Sequence, residues 1–263
     1  MLHIVRVAVK GIVRDRVFQG IFLVSLLLLF VPAVSSLSMR QVTELSITLS
    51  LSLISFILLL LSVSLGGTSL WRDMERRYSI SVLGLPLTRW QYLIGKFCGV
   101  VCSLVAAALI LWAVMAVVVL YASGIYPSPR PVAWHYISLA VFFDILKYIL
   151  LVAIAFLFST VSTSFFLPIF GTISIFWVGS ASQEAYDFIQ SSSGQSLPHV
   201  VRLAARGLYY ILPNFSAFDL KLNAIYGVKV SSSGLLLTLG YFFVYTAITI
   251  FIATVLFSRR ELK

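Results

Sequence analysis

The stretch LSITLSLSLISFILLLLSVSLGGTSL, residues 45–70, decides the fold. It contains no charged residue. As an α-helix it would measure roughly 39 Å, longer than the ~30 Å hydrocarbon core of a bilayer. Its serines, among them Ser46, Ser50, Ser52, Ser55, Ser62 and Ser64, can bond to preceding carbonyls or across to a neighbouring helix. The stretch therefore reads as a membrane span. Further apolar runs lie at about 18–37, 97–121, 137–159, 165–180 and 235–257. Composition agrees: 60% of residues are hydrophobic and 11% charged, with a mean hydropathy of +1.03. Soluble domains carry about 25% charged residues. So few charges cannot clothe a water-facing surface, and the surplus apolar area needs lipid. The expected fold is an all-α membrane protein of six transmembrane helices, forming one domain over residues 1–263.

The connections carry their own patterns. In residues 2–17 the apolar Ile4, Val5, Val9, Ile12 and Val13 alternate with Arg6, Lys10, Arg14 and Arg16, a basic amphipathic helix suited to an anionic membrane surface. Its basic start and Ala33-Val34-Ser35 resemble a signal peptide, but the run after it is long enough to be kept as a span, kinked near its far end by Pro32. Gly95 and Gly99 have the spacing that lets helices approach closely. The outer loop, 183–234, carries an apolar set (Val200, Val201, Leu203, Ala204, Leu208, Ile211, Leu212) opposite Arg202 and Arg206. After the break at Leu212-Pro213-Asn214, residues 218–226 repeat the mixed pattern. Two short helices at the outer face are expected.

The net charge of +10 suggests nucleic acid until the positions are read. The basic residues sit at the ends of apolar runs, where they set orientation. With six spans, the N-terminal segment, loop 71–96 and the C-terminal tail share one side. That side holds 12 Lys and Arg residues against 6 opposite, with Lys147 inside a span. The excess places both termini in the cytoplasm, in a multi-pass protein of the cell membrane.

Catalytic, cofactor and metal motifs are absent: there is no HExxH, GxSxG or Walker A sequence. His3, His135 and His199 are scattered. Cys98 and Cys102 lie one turn apart, a spacing open to a soft metal but commoner in packing residues. Asp144 and Lys147 share a helix face inside the fourth span. They read either as an ion pair on a substrate pathway or as a pair near the outer interface with Lys147 snorkelling to the surface.

The densest chemistry lies in the loop of residues 71–96, which packs Trp71, Glu75, Arg76, Arg77, Leu85, Pro86, Arg89, Tyr92 and Lys96 into a short cytoplasmic segment. A tether needs no such mixture. Gly84 and Pro86 divide it into two short helices, with Thr88 capping the second and Tyr92 and Leu93 turned towards the bilayer. An amphipathic helix with mixed charge and apolar anchors suits a groove on a soluble partner. The order Glu75, Leu83, Leu85-Pro86, Thr88-Arg89, Tyr92, Gly95-Lys96 resembles the first cytoplasmic loop of type-2, exporter-type ABC transporter permeases. Leu212-Pro213-Asn214 resembles the branch associated with multicopper-enzyme maturation. The topology fits the same family along the whole chain.

The resemblance implies a prokaryotic permease subunit without catalytic activity of its own. Two permease chains, a second copy or a related chain beside this one, would pair with two cytoplasmic ATPase subunits that hold ATP and Mg. Closure of the ATPases would push on the loop, and substrate would leave through a dimer interface lined by the second and fifth spans. Two other classes share the composition. A structural or assembly membrane protein would lack ATP coupling. An intramembrane enzyme would need convergent polar groups within spans, where Asp144 and Lys147 are the only charged candidates.

Overall fold

The computed structural model describes residues 2–37, 41–75, 88–126, 131–191, 194–196 and 198–259. Among them every regular element is helical, and six helices are long and apolar enough to cross a membrane. In chain order they are α1 (Leu2–Val13), α2 (Arg16–Val24), a 3-10 segment (Ser25–Phe30), α3 (Val31–Ser35), α4 (Val42–Glu75), α5 (Arg89–Ile125), α6 (Trp134–Val161) and α7 (Phe166–Gln190). After a 3-10 turn at Gly194–Ser196 come α8 (His199–Ile211), a 3-10 turn at Ser216–Phe218, α9 (Lys221–Tyr226) and α10 (Ser232–Arg259). The first span is the run Arg16–Ser35; the others are α4, α5, α6, α7 and α10.

The amphipathic helix expected over 2–17 ends at Val13. Asp15 takes an extended conformation (φ −71°, ψ 128°), and its carboxylate accepts the Val17 N–H at 2.8 Å, capping α2. A side-chain acceptor that satisfies a free N–H ends one helix and starts the next. The first span is broken more widely than a kink at Pro32 alone. Proline lacks an N–H and crowds the carbonyl four residues before it. Here the six residues Ser25–Phe30 wind as a 3-10 helix before Pro32 begins α3.

The spans are longer than their apolar runs. α5 has 37 residues and starts eight positions before the expected 97, and α7 runs ten beyond the expected 180. Hydropathy marks the part of a helix that lies in hydrocarbon, whereas caps mark where the helix ends. At the start of α5 the Thr88 N–H donates to Gln91 Oε1 at 3.2 Å, the backbone half of a capping box. From there the helix runs unbroken into the third span. The expected separate short helix after Pro86 is thus the first turns of α5. Tyr92 and Leu93 are buried within the protein instead of facing the bilayer.

α6 is the central pillar: 83% of its most apolar stretch is buried, against 11% in the first and last spans. Around it stand α4, α5, α7 and α10. Its large side chains Phe143, Tyr148 and Phe156 are shielded, and they meet Ile54, Leu58 and Leu61 in the same apolar core. α9 and the turn at Ser216–Phe218 close over one end of α6, with Phe215, Phe218 and Ala224 buried beneath them.

Candidate functional site

α4 and α5 lead into and out of residues 76–87. Arg76, Arg77, Leu85 and Pro86 lie outside the described residues, as does the side chain of Glu75. What the structure describes is the base on which that loop stands. Trp71, Arg72 and Asp73 sit on the last turns of α4, and Arg89, Tyr92 and Lys96 on the first turns of α5.

Each holds a neighbour. Arg72 Nη1 pairs with Asp15 Oδ2 at 2.5 Å, and Nη2 donates to Thr68 Oγ1 at 2.8 Å. Asp15 therefore serves two elements at once, capping α2 with one oxygen and holding the end of the second span with the other. Asp73 Oδ2 accepts from Lys96 Nζ and from the Tyr92 hydroxyl, both at 2.5 Å, which ties α4 to α5 directly. Arg89 Nη1 donates to the Ser258 carbonyl at 2.8 Å. That carbonyl belongs to the last turn of α10, where helix carbonyls lack internal partners and a cation is favoured. Two ring contacts complete the base: Trp71 on Phe165, in the short link before α7, at 5.4 Å edge to face, and Tyr92 on Phe257 of α10 at 6.2 Å.

α1 joins the same platform through the two glycines. A Cβ on Gly99 would stand 2.5 Å from that of Ala8, and one on Gly95 2.9 Å from Ile4 Cγ2. The amphipathic helix thus lays Ile4, Ala8 and Ile12, spaced four apart, towards the protein and leaves Arg6 and Lys10 exposed. The first turns of α5, the end of α4, α1 and the end of α10 form one braced surface where the chain leaves α4 and enters α5.

Of the residues expected to couple to a partner, Trp71, Arg89, Tyr92 and Lys96 are brought together, and each contacts this chain's own elements. Asp15 and Asp73 were missed. The available signal was their setting: the chain has only nine acidic residues, and these two interrupt basic runs at membrane borders. A carboxylate there calls for a cation.

A second polar cluster lies in the interior. Asp144 and Lys147 form an ion pair, and both are at least 95% buried, facing α4. Lys147 therefore does not snorkel to an interface: α6 is buried from Phe143 to Phe156, and the ammonium is neutralised in place. Lys147 Nζ also reaches Ser55 Oγ at 3.4 Å, and the Tyr148 hydroxyl shares a 2.9 Å hydrogen bond with Ser55.

The Leu212-Pro213-Asn214 segment is a structural corner. Asn214 Oδ1 accepts from the N–H and hydroxyl of Ser216 at 3.1 and 2.6 Å, its N–H donates to the Tyr241 hydroxyl at 2.7 Å, and Nδ2 donates to Gln183 Oε1 at 2.7 Å. Through its backbone N–H and its side chain, this one residue joins α7 and the turn at Ser216–Phe218 to α10. Gly179 must lack a side chain there, because a Cβ would collide with the Pro213 carbonyl. α8 lies against α7 through Tyr209, stacked on Tyr186 at 4.2 Å, and leaves Val200, Leu203 and Ile211 open. Cys98 is half-buried and Cys102 exposed, and the described residues contain no group of three or more His, Cys, Asp or Glu placed for a metal.

Residues 3–262 match a family model described as ABC-2 family transporter protein. Among curated proteins, none matches.

Proposed function

Because the chain belongs to the ABC-2 family of transporter proteins, we propose that it is the membrane-spanning permease subunit of an ATP-driven exporter. ATP and Mg are bound by a separate cytoplasmic ATPase subunit, which grips residues 76–87. The observation that carries this reading is the braced base of that loop. A soluble motor moves membrane helices only through an element that does not yield, and here α1, α4, α5 and α10 are tied to one another directly beneath the loop.

The working unit contains a second permease copy. The fifth span supports this: Phe166, Phe170 and Trp177 form an open stripe along α7, available to a partner copy. The basic asymmetry supports cytoplasmic termini, and the family resemblance a prokaryotic cell. The finer placement, in the branch associated with multicopper-enzyme maturation, rests on Leu212-Pro213-Asn214.

Affinity purification from the native membrane tests the reading. A tagged chain should carry with it a protein containing a Walker A motif. Reporter fusions at Lys263 and Ser192 should report opposite sides of the membrane. A chain that purifies without any ATPase, under conditions that retain its fold, would leave a structural membrane protein as the better description.

A further inference from the structure

Resting on the transporter reading, we propose that Ser55, Tyr148, Lys147, Asp144 and Ser159 are positioning residues that lock the second and fourth spans in one axial register, so that α4 and α6 move as a single beam.

Two polar contacts carry the proposal. Ser55 on α4 bonds the Tyr148 hydroxyl on α6 at 2.9 Å, across an interval of 93 residues. Further along, Ser159 Oγ of α6 lies 3.5 Å from the Gly66 carbonyl, again 93 residues away, and 3.0 Å from the Gly67 carbonyl, sharing its proton between these and the Ala155 carbonyl of its own helix at 2.8 Å. The same interval at both places means that the helices run parallel. The two contacts are about three turns, or roughly 16 Å, apart on each helix, so they share one face. Gly66 lets the backbones close up, since a Cβ there would stand 2.7 Å from that of Ala155.

Apolar packing within lipid fixes no such register. A leucine shifted by a turn meets another leucine, and the surrounding tails are equally apolar. Polar contacts do fix it. A slip of one turn, about 5.4 Å, would part Ser55 from both Tyr148 and Lys147, and Ser159 from its two carbonyls. Each group would then lie in hydrocarbon without that partner. The Asp144–Lys147 pair holds the ammonium neutralised while it points at Ser55. Fixing register is the best-attested use of buried polar groups in helix pairs. α4 ends at the loop proposed to receive the push, and α6 is the centre of the bundle. The lock delivers displacement of the loop to the core, where an unlocked α4 would slide past it.

Paired spin labels test the idea in the full complex, reconstituted in nanodiscs on a Cys98→Ala/Cys102→Ala background. Phe56→Cys and Phe142→Cys provide exposed sites on α4 and α6, and Leu236→Cys one on α10. The 56–142 distance should be a single narrow population that ATP leaves unchanged, while the 56–236 distance shifts. Ser55→Ala/Tyr148→Phe combined with Asp144→Asn/Lys147→Met should add a population displaced by about one turn and remove most of the ATP-driven shift in the 56–236 distance. A 56–142 distance that changes with ATP in the wild type, or a lock-free variant that stays narrow and fully coupled, overturns the proposal. The wild-type arm decides it even where the variant fails to fold. If no labelled pair responds to ATP, the transporter reading falls and takes the beam's role with it, while the variant's distance distribution still decides the register lock.

Discussion

Two clusters in this chain use the same three side-chain types in different media. At the loop base, Asp73 holds Lys96 and the Tyr92 hydroxyl; in the interior, Asp144 holds Lys147, whose neighbour Tyr148 meets it through Ser55. The side chains of the first ion pair are 16% and 18% exposed, those of the second 6% and 5%. The first pair keeps some exposure at the membrane border, which lets salt screen it in part. The second has given up its hydration and stands or falls with its partner. The same chemistry therefore does two jobs. At the border it ties the ends of α4 and α5 together, and in the interior, on the proposal above, it specifies one register.

Removing one partner from each cluster should expose the contrast. Lys147→Met leaves a buried carboxylate uncompensated and should cost about 3–5 kcal/mol of stability. The loss would appear as a large fall in thermal unfolding temperature in detergent. Asp144→Asn/Lys147→Met should recover most of that loss, because the charge is removed together with its partner. If the single variant is as stable as the wild type, the interior pair is not the dry one described here.

A middle-sized effect is expected where packing rather than charge joins the platform. Gly99→Val pushes against Ala8 and Val5 of α1, so the helix must lift, at a cost of about 1–3 kcal/mol. Thiol labelling of Ala8→Cys, on a background without Cys98 and Cys102, should quicken when Gly99 is replaced. Unchanged labelling would mean that α1 is held by other contacts.

Lys96→Ala at the border should cost about 1 kcal/mol or less in stability. Its effect should appear instead in coupling: ATP hydrolysis continues while transport per ATP falls. A stability loss as large as that of Lys147→Met would erase the distinction between the two clusters. Smallest of all, Cys98→Ala/Cys102→Ala should change neither stability nor transport, since Cys98 is half-buried and Cys102 exposed. Loss of activity together with loss of bound copper would instead reveal a metal site.

The same contrast separates what the amino-acid sequence carries from what only the fold supplies. Six spans were legible because an uncharged run such as 45–70 is too long for anything but a membrane helix. Helix ends were less so: Thr88 and Asp15 act through caps, which leave little trace in hydropathy. The loop 71–96 stood out by density, yet Asp15 and Asp73 did not, because their meaning depends on Arg72 and Lys96, 57 and 23 residues away. Lys147 was open to two readings from its own helix alone. Only the parallel approach of α4, 92 residues off at Ser55, decides that it stays inside.

On the proposed reading, a cytoplasmic ATPase takes hold of the loop between α4 and α5. A photoactivatable residue at Thr88, exposed at the loop base, should crosslink to an ATPase subunit in native membranes. The same residue at Leu203, on the open face of α8, should not. Glu75→Ala and Arg89→Ala should weaken the Thr88 crosslink while the chain still inserts. An ATPase captured from Leu203, or from neither position while the chain remains folded in the membrane, would contradict the account.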